Sequence, residues 1–159
     1  GGPIISKIAL QGNAGRFKLP IAKTGKGNLD FSFSGLKTAV LNETKKVSAI
    51  DDKFKADLAA SFQEAVAKAL SQKLVVAAGK FPEIKEVHLA GGVSANKRLR
   101  EVITESLPKG FKFRYPKLIP YCTDNAAMIA SAAYFSYTKN PENFSSPVNV
   151  VPTTSFEIF

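Results

Sequence analysis

The chain has 159 residues and a mass of 17.1 kDa, the length of one ordinary domain. Its 22 Lys and Arg against 13 Asp and Glu leave a net charge of +9, and 45% hydrophobic residues supply enough apolar surface to exclude a disordered chain. One cysteine excludes an internal disulfide framework, and one cysteine with one histidine excludes a self-contained His/Cys zinc site.

The uncharged run 125–138 falls short of the ~20 apolar residues of a membrane span, so no membrane segment is expected. The single cysteine suits a reducing, cytoplasmic setting. The opening Gly1-Gly2-Pro3, with no initiator Met and no basic-then-apolar leader, reads as a piece of something longer. Charge is uneven: residues 1–50 carry eight Lys or Arg against Asp30 and Glu43, whereas the rest is nearly balanced. A basic front third can face the phosphates of a nucleotide or nucleic acid, or can be a solvated surface.

In chain order, Asp30-Phe31-Ser32-Phe33 alternates as a strand does, and Ser34-Gly35 turns the chain into a helix over 36–44. A long helix is expected over 52–78, where Phe54, Leu58, Phe62, Val66, Leu70 and Leu74 recur every four residues as a core-facing stripe. Asp51 and Asp52 favour its start, and Gly79 with Pro82 its end. Glu86-Val87-His88-Leu89-Ala90 reads as a strand feeding through Gly91-Gly92 into a further helix that opens at Ser94-Ala95-Asn96 and runs to Leu107. Phe111-Lys112-Phe113-Arg114-Tyr115 alternates as a half-buried strand, and Pro116 and Pro120 keep the next segment irregular. A last helix, capped by Thr123 or Asp124, extends to about Thr138, its Ala-rich face suited to close packing on a sheet. The Pro-, Ser- and Thr-rich residues 140–159 are expected to wrap the surface. The order strand–helix–strand–helix predicts an α/β fold with a mostly parallel core.

Taken singly, the chemistry-bearing residues are modest signals. Gly91-Gly92-Val93-Ser94-Ala95-Asn96 suits a turn whose backbone approaches an anion, or one that merely lets a helix pack; it is neither a dinucleotide fingerprint nor a phosphate-binding P-loop. His88, alone on a strand, reads more readily as packed than catalytic. Cys122 has no histidine near it in sequence and reads as a small buried residue. Asp124 can cap a helix or give one ligand to a metal. No residue stands out as catalytic.

Four blocks together closely resemble one family. They are Gly1-Gly2-Pro3 with Gly12-Asn13-Ala14-Gly15-Arg16-Phe17, then Asp30-Phe31-Ser32-Phe33-Ser34-Gly35-Leu36-Lys37-Thr38, then 89–100 around Gly91-Gly92, and Cys122-Thr123-Asp124-Asn125-Ala126-Ala127-Met128-Ile129-Ala130. The family is the tRNA N6-adenosine threonylcarbamoyltransferases, once labelled O-sialoglycoprotein endopeptidases. The resemblance spans nearly all of 1–138. It implies the actin/Hsp70/sugar-kinase-like fold (ASKHA), with residues 1–139 as its second lobe, a mixed sheet with flanking helices, and the first lobe absent from this chain. It implies transfer of threonylcarbamoyl from threonylcarbamoyl-AMP to N6 of adenosine 37 in tRNAs that read codons beginning with A (t6A formation).

The same resemblance matches Gly2 and Asn96 to residues that hold the nucleotide, with Gly91 and Gly92 on the phosphate side and Ser34 and Gly35 in the cleft wall. It matches Asp124 to one ligand of a single iron or zinc ion, whose two histidine ligands, from a His-x-x-x-His motif, are missing here. Ser6 stands where some members carry an acidic residue. In bacteria the implied partners are a paralogous actin-like subunit and a small ATPase, beside tRNA itself. Alone, the fragment is expected to be inactive. Two other classes fit parts of the pattern: the nucleotide-binding lobe of an actin-like-fold kinase or ATPase, and a non-catalytic basic RNA- or partner-binding module. The endopeptidase label finds no His-Glu-x-x-His, triad or activated cysteine.

Overall fold

A computed structural model describes residues 1–21 and 27–144. The chain divides into two units, Gly1–Thr123 and Asp124–Phe159. In the first, α1 (Gly2–Ala9) is followed by α2 (Ser34–Lys45), the long α3 (Asp52–Lys80), β1 (Glu86–His88), a 3-10 turn (Gly92–Ala95), α4 (Lys97–Ser106), β2 (Lys112–Arg114) and a second 3-10 turn (Ile119–Tyr121). The second unit holds α5 (Ala126–Lys139) and a 3-10 turn (Pro141–Phe144).

The helix α3 is the scaffold. Its 29 residues span about 44 Å. Asp51 caps it by accepting from the Phe54 N–H at 2.7 Å, and the helix runs through Gly79 before stopping ahead of Pro82. Its buried positions differ from the expected stripe. Of the six stripe residues only Leu58 is buried, while Ala56, Ala60, Ser61, Ala65, Ala67, Ala69, Ser71 and Ala78 are covered. Small side chains let both α1 and α4 approach α3 closely, so burial spreads beyond one row of large residues.

The core joins α3 and α4. Ala67, Leu99, Val102 and Ile103 are buried together, with Leu70, Leu74, Leu89, Leu107 and Phe113 packed against them. Burying side chains such as Leu99 and Ile103 contributes roughly 2 kcal/mol each. Arg98 grips Glu64 through two nitrogens, Nε at 2.7 Å and Nη2 at 3.2 Å, and its nearness holds the Glu64 carboxyl below its ordinary range.

The strands β1 and β2 pair in parallel, Glu86 with Lys112, Val87 with Phe113 and His88 with Arg114. This bears out the α/β reading. Among the described residues the sheet has these two strands alone, so the mixed sheet is not seen. The residues 30–33 form no strand. Their alternation is met differently, because Phe31 and Phe33, two apart and on one side, stack on each other at 6.2 Å. His88 is exposed rather than packed, with Nε2 3.2 Å from Glu86 Oε2. The helix α1, which begins with a proline in its first turn, was not foreseen from the Gly1-Gly2-Pro3 sequence.

In the second unit Asn125, and neither Thr123 nor Asp124, caps α5, its Oδ1 accepting from the Met128 N–H at 3.2 Å. None of the residues of α5 is buried. The tail expectation falls, from residue 145 onward, outside the described residues.

Candidate functional site

Two segments led by glycines come against α3. Residues 10–17 leave α1 and lie along the first turns of α3. There the Asn13 N–H donates to the buried Asp57 Oδ1 at 2.7 Å, and the Phe17 N–H to Ser61 Oγ at 3.2 Å. Lys53 Nζ reaches Asp57 Oδ1 at 2.9 Å and Oδ2 at 2.8 Å. That ammonium, with the Asn13 N–H, holds the Asp57 carboxyl below its ordinary range. Gly12 crosses α3 so closely that an added Cβ would stand 1.9 Å from the Ala56 carbonyl oxygen.

The second segment follows β1. Gly91 takes φ 81°, ψ 169°, a conformation almost confined to glycine, and an added Cβ there would meet nothing within 4 Å. The Ser94 N–H closes the turn on the Gly91 carbonyl at 2.9 Å. Arg100 holds the turn from behind: its Nε donates to the Ser94 carbonyl at 2.5 Å and its Nη2 to the Pro116 carbonyl at 3.0 Å, with the guanidinium 4.2 Å over the Tyr115 ring. Cys122, 3.5 Å from Arg100 Nη2, is buried as expected.

Where α4 begins, these elements meet. Asn96 caps α4, its Oδ1 accepting from the Leu99 N–H at 2.9 Å. The helix therefore opens after Asn96, preceded by a 3-10 turn, rather than at Ser94. Asn96 Nδ2 donates to Ser6 Oγ of α1 and to Gln63 Oε1 of α3, both at 2.8 Å, and Ser6 Oγ donates to the same Gln63 oxygen at 3.0 Å. This triangle joins three elements across 90 residues of sequence. It borders a cavity of about 190 Å³ whose wall includes Gly2, Ile5, Phe62, Val93 and Leu99.

Gly2 and Asn96, 94 positions apart in sequence, thus share one cavity, with Val93 of the glycine-led turn beside them. Both amide ends of Asn96 are engaged within the protein. Ser34 and Gly35 lie exposed in the first turn of α2 and do not line this cavity. Their helix borders a separate groove of about 460 Å³ formed by Phe33, Lys37, Val40, Phe62 and Val66. Asp124 belongs to the second unit, directly before the cap of α5. Among the described residues no three of His, Cys, Asp and Glu gather as a metal site. Asp57, Ser61 and Gln63 were missed in the sequence; the only trace of Gln63 is a polar residue beside Phe62 on a face that otherwise carries Val66 and Ala67.

The site defines a class: an α/β unit in which two helices, a glycine-led turn and an asparagine-capped helix wall a small cavity with apolar and carboxamide groups. Residues 1–131 match the family model described as TsaD: tRNA N6-adenosine threonylcarbamoyltransferase, and the chain belongs to that family. It is 48% identical over 136 residues to the tRNA N6-adenosine threonylcarbamoyltransferase of Symbiobacterium thermophilum, an alignment covering 85% of this chain and 39% of the relative. The proteins of the same name from Variovorax paradoxus (48% over 134 residues, 84% and 38%) and Clostridium beijerinckii (47% over 139 residues, 86% and 40%) align alike. The chain spans about two fifths of the length of these curated relatives. Membership sets it apart from the kinase and ATPase lobes that the sequence also allowed. Among the described residues no helix is long and apolar enough to cross a membrane.

Proposed function

We propose that this chain contributes the nucleotide side of a t6A-forming transferase, as the second lobe (1–139, with 140–159 as its tail) of an actin-like fold. The observation that supports this most is the shared cavity of Gly2 and Asn96, two residues that family resemblance links to the nucleotide. In this reading the adenosine of threonylcarbamoyl-AMP lies against that cavity. Gly91 and Gly92 keep the turn clear of side chains, so backbone N–H groups can meet the phosphate. The N6 amine of adenosine 37 attacks the carbamoyl carbon, a C–N bond forms, the C–O bond to AMP breaks, and the amine gives up a proton. The mixed anhydride already carries a good leaving group, so no activated serine or cysteine is required.

The family's iron or zinc does not fit these residues alone, because Asp124 is the sole ligand proposed and the one histidine, His88, sits on β1 bonded to Glu86. Asp124 is therefore proposed as one ligand of a site completed from outside this chain, and no step is routed through the ion. The tRNA, a paralogous actin-like subunit, a small ATPase and a cytoplasmic setting belong to the same proposal.

A chimera tests it. Residues 1–131 replace the matching segment of the Symbiobacterium thermophilum relative, and t6A is measured in tRNA supplied with threonylcarbamoyl-AMP. The chimera is expected to form t6A, the chimera carrying Asp124→Ala to form at least 100-fold less, on the order of the loss when a transition-state contact is removed, and the chain alone to form none. A folded but inactive chimera beside an active parent would overturn the proposal.

A further inference from the structure

The hydrogen-bond inventory of the Ser6–Gln63–Asn96 triangle leaves one group over. The Leu99 N–H fixes Asn96 Oδ1 toward α4, so Nδ2 must face Ser6 and Gln63. Both protons of Nδ2 are then spent, and the acceptor that meets one of them must be Gln63 Oε1, which also takes the Ser6 hydroxyl proton. A flipped Gln63 would set donor against donor. The orientation of all three groups is thus dictated by one backbone N–H. What remains is Gln63 Nε2, a carboxamide donor with two protons and no hydrogen bond among the described residues, on a half-buried side chain that lines the cavity.

We propose that Gln63 is a ligand-binding residue of this cavity, its Nε2 donating to a hydrogen-bond acceptor of the bound nucleoside, a ribose oxygen or a ring nitrogen, while Asn96 and Ser6 are positioning residues that hold it. This rests on the nucleotide reading given above. It adds Gln63 to Gly2 and Asn96, the residues that the family resemblance links to the nucleotide. The surrounding wall, Phe62, Val66, Val93 and Leu99, is apolar and supplies shape but no competing donor.

Calorimetric titration of the chain with AMP and with adenosine tests it. Gln63→Glu is the sharp variant, since it keeps an oxygen for Asn96 and Ser6 but has no donor; Gln63→Leu is the second. Unfolding temperatures for each variant separate loss of binding from loss of fold. Gln63→Glu is expected to weaken both ligands about tenfold, the worth of one unmade hydrogen bond. Ser6→Ala, which removes the two bonds Ser6 makes inside the triangle and no donor toward the ligand, is expected to weaken them less than about threefold. If Gln63→Glu weakens AMP alone, charge repulsion accounts for it and the donor role is overturned. If wild type binds and both Gln63 variants bind within twofold of it, the inference fails while the nucleotide reading stands. If wild type binds neither ligand, the nucleotide reading itself fails and this inference with it.

Discussion

The segments 12–17 and 91–96 both open on glycine, and their glycines are needed for opposite reasons. At Gly12 the backbone is pressed against α3, and a Cβ would overlap the Ala56 carbonyl. At Gly91 there is open space, and what requires glycine is the backbone itself, at φ 81°. The first segment is lashed down by Asp57 and Ser61, so it spends its polar groups on the fold. The second leaves a bare turn at the surface beside the cavity. Two equally glycine-rich stretches thus divide the labour, one securing α1 to α3 and one keeping a surface clear.

The sharpest way to break this comparison is Gly12→Ala. The methyl group can be accommodated only if α1 and α3 move apart, at a cost of about 3 kcal/mol, lowering the melting temperature by roughly 6–12 °C. Both helices wall the cavity, so AMP affinity is expected to fall along with stability. Unchanged stability by thermal scan would show that the close crossing does not hold. Gly91→Ala comes next. Its cost is conformational, about 2 kcal/mol, and it falls on the turn, so AMP affinity is expected to drop at least as far as stability does. Loss of stability with intact affinity would place the nucleotide elsewhere.

Much of the frame was legible in the sequence. The strand–turn–helix–strand order from 86 to 114 needs only local signals, alternation, a glycine pair and an apolar helical face. The start of α1 was hidden because Gly1-Gly2-Pro3 carries turn chemistry, although proline is tolerated in a first turn where its missing N–H costs nothing. Residues 30–33 misled because alternation records only that Phe31 and Phe33 share a side, and stacking satisfied them without a partner strand. Gln63 was out of reach. Its role arises from two residues 57 and 33 positions away, and no spacing along α3 announces them.

The smallest expected effect lies away from both segments. Arg114 reaches Glu86 through Nε at 2.6 Å and Nη2 at 2.9 Å, and this contact, then His88, lowers the Glu86 carboxyl from 4.5 to about 2. A depressed carboxyl adds stability above pH 4.5, and that addition is lost as pH falls from 4.5 toward 2. The pair is exposed, so Glu86→Gln is expected to shift the melting temperature at pH 7 by no more than a degree or so, and to flatten its fall between those pH values. A large shift at pH 7 would mean that the strand pair leans on this contact far more than its exposure allows.

Hydrogen–deuterium exchange of the chain with and without saturating AMP tests most directly whether the Gly2–Asn96 cavity receives the nucleotide. Slowed exchange is predicted at residues 2–6 and 91–99, with none at 12–17. Binding accompanied by protection confined to 33–40, the wall of the other groove, would contradict the assignment.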